Sequence, residues 1–366
     1  MVNNYLQNSP RSNTGPNPDP ILDDIGRVKI TVLGLGGGGS NAVNRMIELG
    51  LKGVHFVAAN TDQQALESSL APVKLQLGPS ITRGLGAGGD PKMGAAAAME
   101  SGLEIAAALK DSDLIFITAG MGGGTGTGAA PVAAEIARAT GAVVISIVTT
   151  PFAFEMTRRS TNAAQGIKLL QPHSHTLITI PNDRLLEIIP RDLSLEVAFR
   201  VADDVLRQGV QGIAELITEP GMINVDFAHV RQLMLRGGGA FMAIGLGEGE
   251  QKSIAAIRQA MRHPLLEYNH LEYATGVLVH FTGGEDLTLF EVSDAIIELR
   301  KSLSANVDLV FGTSTNAELS NRTQVILIVT GIGARAVSPQ ARVAATVPQQ
   351  TQSKPAPIKP ILTTDN

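Results

Sequence analysis

The sequence has no cysteine and no tryptophan, and only 3 tyrosines and 10 phenylalanines in 366 residues. Without cysteine there are no disulfides and no thiolate metal sites, which suits a reducing compartment. With 4% aromatics, Val, Ile, Leu and Ala must fill the core. No run approaches the ~20 apolar residues that cross a bilayer. The opening stretch, MVNNYLQNSPRSNTGPNPDP, lacks the apolar centre of a signal peptide, so a soluble, cytoplasmic protein is expected. The net charge of −5 offers no basic footprint, so no nucleic-acid partner is expected. The lysine-bearing phosphate loop G-x-x-x-x-G-K-[S/T] occurs nowhere.

What is present is apolar and glycine-rich: 44% hydrophobic residues, 17% charged ones and 39 glycines. That composition fits a globular chain with a large core, and the length allows two domains. Residues 1–26 and 335–366 are polar or Pro/Gln-rich and are expected to be disordered. Between them, apolar runs of strand length (28–34, 54–60, 113–120, 142–150, 175–181) alternate with helical patterns at 40–50 and 91–110. This implies an α/β domain over 27–193 whose parallel sheet is covered on both faces. A long helix over 194–217, apolar on more than one side, is expected to be buried between two layers. A smaller α/β domain is expected over 218–334, with strands at 239–247, 276–284, 307–315 and 323–331 and helices at 250–262 and 288–303.

The glycines are concentrated where strands meet helices. GLGGGGSN (34–41) follows the first strand and opens a helix. Glycine lets backbone approach a phosphate, and a helix start offers free N–H groups. Gly34, Gly36 and Gly39 also satisfy G-x-G-x-x-G, and Asp62 follows the second strand where a ribose carboxylate would sit. Taken alone, that pattern supports a nicotinamide dehydrogenase. A second unit of the same kind, GMGGGTGTGA (120–129), changes the reading. A dinucleotide needs one cradle for its pyrophosphate. Two cradles on neighbouring strand ends suit a nucleoside triphosphate, with Thr125 and Thr127 as hydroxyl donors. A third stretch, RGLGAGGDP (83–91), again precedes a helix. The alternative for any one of them is a tight turn with no ligand. The histidines show no spacing for a metal: His55 and His280 sit in strand patterns, and His173 and His175 frame a turn.

These residues resemble the tubulin/FtsZ family. GGGTGTGAAP (122–131) matches its signature, and NTDQQAL (60–66), TRGLGAGGDP (82–91), PFAFE (151–155), IPNDRLL (180–186), DDVLRQGVQGI (203–213) and PGMINVDFA (220–228) follow FtsZ in order and spacing. The resemblance covers about 27–332. It implies the tubulin/FtsZ fold: a Rossmann-like parallel-sheet GTPase domain, a long central helix and a smaller α/β C-terminal domain. It implies GTP and GDP as ligands, Mg2+ with the nucleotide, head-to-tail homopolymers and a place among cell-division proteins in the mid-cell ring. Carried over, Gly37, Gly38, Gly39, Ser40 and Asn41 contact the nucleotide, and Gly124, Thr125 and Gly126 hold phosphates. Glu155 and Arg159 flank the ribose. Asn182, Phe199 and Asp203 flank the base. A carboxylate at 203 can accept both donors on guanine's Watson–Crick edge, a pair that adenine lacks. Without the resemblance, an idle surface Asp is the simpler reading.

The chain departs from the family at three places. Hydrolysis in FtsZ-like proteins is completed by a loop of the next subunit that carries two acidic residues three apart. Here the loop is NVDFAHV (224–230). Asn224 and Asp226 match, but His229 stands where the second carboxylate belongs. A neutral imidazole has one acceptor nitrogen and a protonated one has none. Slow hydrolysis is therefore expected, and the alternative is a GTP-binding scaffold with little activity. Met156 follows Glu155 where glycine is usual. The tail, KPAPIKPILTTDN, lacks a clear version of the acidic-then-apolar peptide by which FtsZ proteins usually meet membrane anchors, which leaves indirect membrane attachment through anchor proteins open.

Overall fold

The computed structural model describes residues 28–188, 194–219, 221–266 and 271–332. Both terminal segments expected to be disordered lie outside them. The first half contains β1 (Ile30–Leu35), α1 (Gly36–Glu48), β2 (Val54–Asn60), α2 (Gln63–Glu67), β3 (Val73–Gln76), α3 (Pro79–Thr82), α4 (Pro91–Glu100) and α5 (Gly102–Leu109). It continues with β4 (Leu114–Gly120), α6 (Thr125–Ala139), β5 (Val143–Thr150), α7 (Met156–Leu170), β6 (Thr176–Pro181) and α8 (Asn182–Leu185). The long α9 (Leu195–Thr218) and α10 (Phe227–Leu235) follow. The C-terminal domain then adds β7 (Gly239–Glu248), α11 (Lys252–Met261), β8 (Gly276–Gly283), α12 (Leu289–Arg300), β9 (Asp308–Thr315) and β10 (Arg322–Ile332).

One sheet runs through both halves in the order β3-β2-β1-β4-β5-β6-β7-β10-β8-β9. Strands β1 to β6 are all parallel. The join to the C-terminal half is narrow: β6 meets β7 through Leu177↔Gly239 and Ile178↔Ala240. Beyond it, β10 is antiparallel to both β7 and β8, while β8 and β9 are parallel. The C-terminal sheet is thus mixed.

Alternation along each strand assigns its two faces. On β1, Ile30 and Val32 face a core that includes Met46, Leu206 and Ile213, whereas Leu33 and Leu35 face one that includes Ile117, Ala130 and Ala134. Both faces are covered, so the strands read as unbroken apolar runs. A third core, with Ile257, Phe281 and Leu299, fills the C-terminal domain.

Ser194 caps α9 by accepting from Val197 N at 3.4 Å. Its 24 residues reach roughly 36 Å. Buried positions such as Leu206, Val210 and Ile213 pack against α1 and β5 on one side and β8, β9 and β10 on the other. The helical pattern over 91–110 divides into α4 and α5 at Ser101. That side chain accepts from Gly78 N (3.0 Å) and donates to Gln76 O (3.2 Å), pinning the chain to the end of β3.

Candidate functional site

The chain builds β1, β2 and β3 toward one edge of the sheet, then returns to build β4, β5 and β6 toward the other. The reversal falls between β1 and β4, which pair in register with Leu35 beside Ala119. In open α/β sheets, ligands bind outside the carboxyl ends of strands at such a switch point. Both glycine stretches leave the sheet there. The first is itself the opening turn of α1, and the second leads into α6.

A cavity of about 360 Å³ occupies the crevice. Gly37, Gly38 and Asn41 line it from α1, and Gly124, Thr125 and Gly126 from the start of α6. Its wall also includes Glu155, Arg159, Asn182, Phe199 and Asp203. Positions scattered over 167 residues of sequence, from 37 to 203, thus meet around one space.

The far end of the cavity is shaped by α8 and α9. Asn182 is buried, and its Oδ1 has no hydrogen-bond partner among the described residues. Phe199 packs edge-on to Phe152 and Phe154, at centroid distances of 5.4 and 6.4 Å. Burial pushes the Asp203 carboxyl up to about 7. Glu155 pairs with Arg159 one turn along α7, and its other oxygen accepts from Phe152 N at 2.9 Å. Between them, Met156 has φ 73° and ψ 162°, a region that belongs essentially to glycine and costs of order 1–3 kcal/mol for other residues.

Two glycines show which part of the cradle the fold does not require. A Cβ added at Gly37 or Gly123 meets no protein atom within 4 Å, and neither has a positive φ. Both line the cavity. By contrast, a Cβ at Gly39 would lie 2.4 Å from Thr118 O, and one at Gly128 only 2.0 Å from Pro91 O. Those two glycines are fixed by packing.

Some expected site residues stand elsewhere. Gly39 and Ser40 lie behind the lining, and Ser40 Oγ is buried without a partner among the described residues. Thr127 turns inward: it is buried, does not line the cavity, and accepts from Gly122 N at 2.7 Å. The third glycine stretch packs on the second cradle, with Ala87 and Asp90 against Gly124. Asp62 caps α2 by accepting from Ala65 N at 3.1 Å. That removes the carboxylate from the dehydrogenase reading. His175 Nδ1 accepts from Val144 N at 2.9 Å, a structural role.

Asn224, Asp226 and His229 do not join the cavity. Helix α9 runs on from Asp203 to Thr218, roughly 22 Å, before the loop begins. All three residues are exposed. Asn224 Oδ1 accepts from Gly221 N (2.7 Å), and Asp226 caps α10 through Ala228 N (3.0 Å).

A doubly wound sheet, two glycine turns at its switch point and a long helix leading into a mixed C-terminal sheet define a nucleotide-binding α/β protein with a second domain. The chain belongs to the tubulin/FtsZ family. Residues 29–190 match the Tubulin/FtsZ family, GTPase domain, and residues 238–333 match the FtsZ family, C-terminal domain. An FtsZ dimer structure from M. jannaschii, empty of ligand, is 44% identical, with a TM-score of 0.82 over 86% of this chain and 92% of that one. CetZ2 from Haloferax volcanii, a GTPγS-bound protofilament, is 21% identical with a TM-score of 0.71 over 83% and 93%. That second likeness extends to the fold alone. Among the described residues, no helix is long and apolar enough to cross a membrane.

Proposed function

We propose that this protein binds GTP in the β1/β4 crevice, assembles head to tail and hydrolyses GTP slowly between subunits. The division ring at mid-cell, within the cytoplasm, is the setting that FtsZ kinship suggests. One observation carries the binding step: Gly37 and Gly123 are glycine although the fold leaves room for a side chain at both. The free space beside them is where phosphates would lie, reached by main-chain amides. The unpartnered Asn182 Oδ1 and the carboxyl of Asp203 offer acceptors for the base. Mg2+ would enter with the nucleotide, held mainly by phosphate oxygens and water. Assembly is supported by the separation of Asp226 from the cavity, which leaves the loop free to serve another copy. It is supported too by the dimer form of the similar FtsZ.

A second reading, a GTP-binding scaffold with little turnover, is favoured by His229. Light scattering and phosphate release measured together after GTP addition separate the two. Assembly with slow release supports the first reading, and assembly without release supports the second. Absence of thermal stabilisation by GTP or GDP overturns both.

A further inference from the structure

We propose that Thr61, which does not line the cavity, is a positioning residue that sets the Thr125 hydroxyl as a donor into it. This rests on GTP occupying the cavity as argued above. Thr61 follows the last residue of β2 and is fully buried. Its Oγ1 lies 2.6 Å from Thr125 Oγ1, the one hydrogen-bond partner of its side chain among the described residues.

The direction of that bond follows from burial. A hydroxyl carries one proton and needs an acceptor for it, and a buried donor left unpaired is costly. Thr61 has a single acceptor in reach, so Thr61 donates and Thr125 accepts. The proton of Thr125 is then free. Thr125 is the first residue of α6 and lines the cavity, so that proton joins the N–H groups of the helix start. An anionic phosphate oxygen is its natural acceptor.

Thr61 is itself held from behind. Its carbonyl accepts from Thr82 Oγ1 and from Gly86 N, each at 3.2 Å. One residue therefore ties together the end of β2, the third glycine stretch and the start of α6. That gives the third stretch a part in the site although it does not line the cavity.

The test is the GTP affinity of the full chain for wild type, Thr61→Val, Thr61→Ser, Thr125→Ala and the double variant Thr61→Val/Thr125→Ala. Thermal midpoints of the nucleotide-free proteins are measured alongside. Thr61→Val and Thr125→Ala should each weaken GTP binding about tenfold, the loss of one hydrogen bond to a charged group. Thr61→Ser should keep wild-type affinity, and the double variant should bind no more weakly than Thr125→Ala. Wild-type affinity in Thr61→Val overturns the inference. So do losses that add in the double variant, which would mark a packing effect. If Thr61→Val does not fold, wild-type affinity in Thr125→Ala overturns it instead. A wild-type chain without GTP affinity overturns the proposed function as well, so the two failures are distinct.

Discussion

Asp203 and Asp204 are consecutive on α9, yet their carboxyl groups are shifted in opposite directions. Burial pushes Asp203 up to about 7. Burial acts on Asp204 too, but Arg207, with Nε 2.7 Å from Oδ1, outweighs it with help from Gln208 and holds the group low. Among the described residues, Asp203, which faces the cavity, has no ion-pair partner, whereas Asp204 has Arg207. Guanine's two donors would favour its charged form, so binding should expel a proton. GTP affinity should be flat above about pH 7 and fall as pH drops, by about tenfold between pH 8 and pH 6. Titration calorimetry across that range checks it, and Asp203→Asn should flatten the profile. Without nucleotide the sign reverses. Asp203 stabilises the fold fully below its unfolded value of 3.8 and loses that contribution as pH rises through about 7.

The glycines of one motif should separate into two kinds. Gly37→Ala meets no atom within 4 Å and lies in the first turn of α1. It should leave the thermal midpoint unchanged or slightly raised, since Ala favours helix by ~1 kcal/mol over Gly. Yet it should weaken GTP binding, because the methyl group enters the cavity. Gly128→Ala puts its Cβ on Pro91 O and forces α4 and α6 apart. Overpacking of that kind costs typically 1–3 kcal/mol or more, so its midpoint should fall. Paired melting and binding curves of the two variants decide it.

How much of this was legible in the sequence follows from which forces are local. The strand–glycine–helix units and the central helix follow from periodicity, whereas the convergence of Asn41, Thr125, Asn182 and Asp203 was implied by the resemblance to the tubulin/FtsZ family. The inward turn of Thr127 does not, because it depends on how the loop folds back to bring the Gly122 N–H onto that side chain. The break at Ser101 depends on the remote backbone of Gln76 and Gly78. Helix α10 begins just after Asp226, whose capping role is hidden beneath the part proposed for it in hydrolysis. The antiparallel setting of β10 is a long-range pairing, invisible to a window that sees one strand at a time. The role of Thr61 was out of reach as well, since it depends on a contact 64 residues away.

His280 should make the C-terminal domain acid-sensitive. It sits on β8, fully buried, with neither ring nitrogen hydrogen-bonded among the described residues, and burial pushes it down to about 4. The unfolded chain takes up a proton near 6.5 that the folded one refuses until about 4. Its contribution to stability is therefore present above about 6.5 and lost as pH falls from there toward 4. His280→Leu should remove that slope from a plot of urea midpoint against pH. At neutral pH it should add ~1 kcal/mol by removing unpaired polar atoms.

His229→Asp tests the hydrolysis loop directly. His229 lies in the first turn of α10, exposed, one turn from the capping residue Asp226. An Asp there restores an acceptor-only anion at a surface position, and Asp near a helix N-terminus is favourable. Folding should therefore be unaffected. A missing general base or water-positioning group costs on the order of 10²–10⁴ in rate. Phosphate release from assembled protein should speed up by some part of that range, while GTP affinity stays fixed because the residue is remote from its own cavity. An equal mixture of His229→Asp chains and chains carrying Gly37→Ala gives the sharper form. If hydrolysis is completed across the junction, a junction is fast only where an intact cavity meets a restored loop from the neighbouring copy. The Gly37→Ala chains can supply no such cavity, so only about a quarter of randomly formed junctions are fast and the rate should fall to about half the average of the two components. A mixture whose turnover is simply the average of its two components would place the chemistry within one subunit.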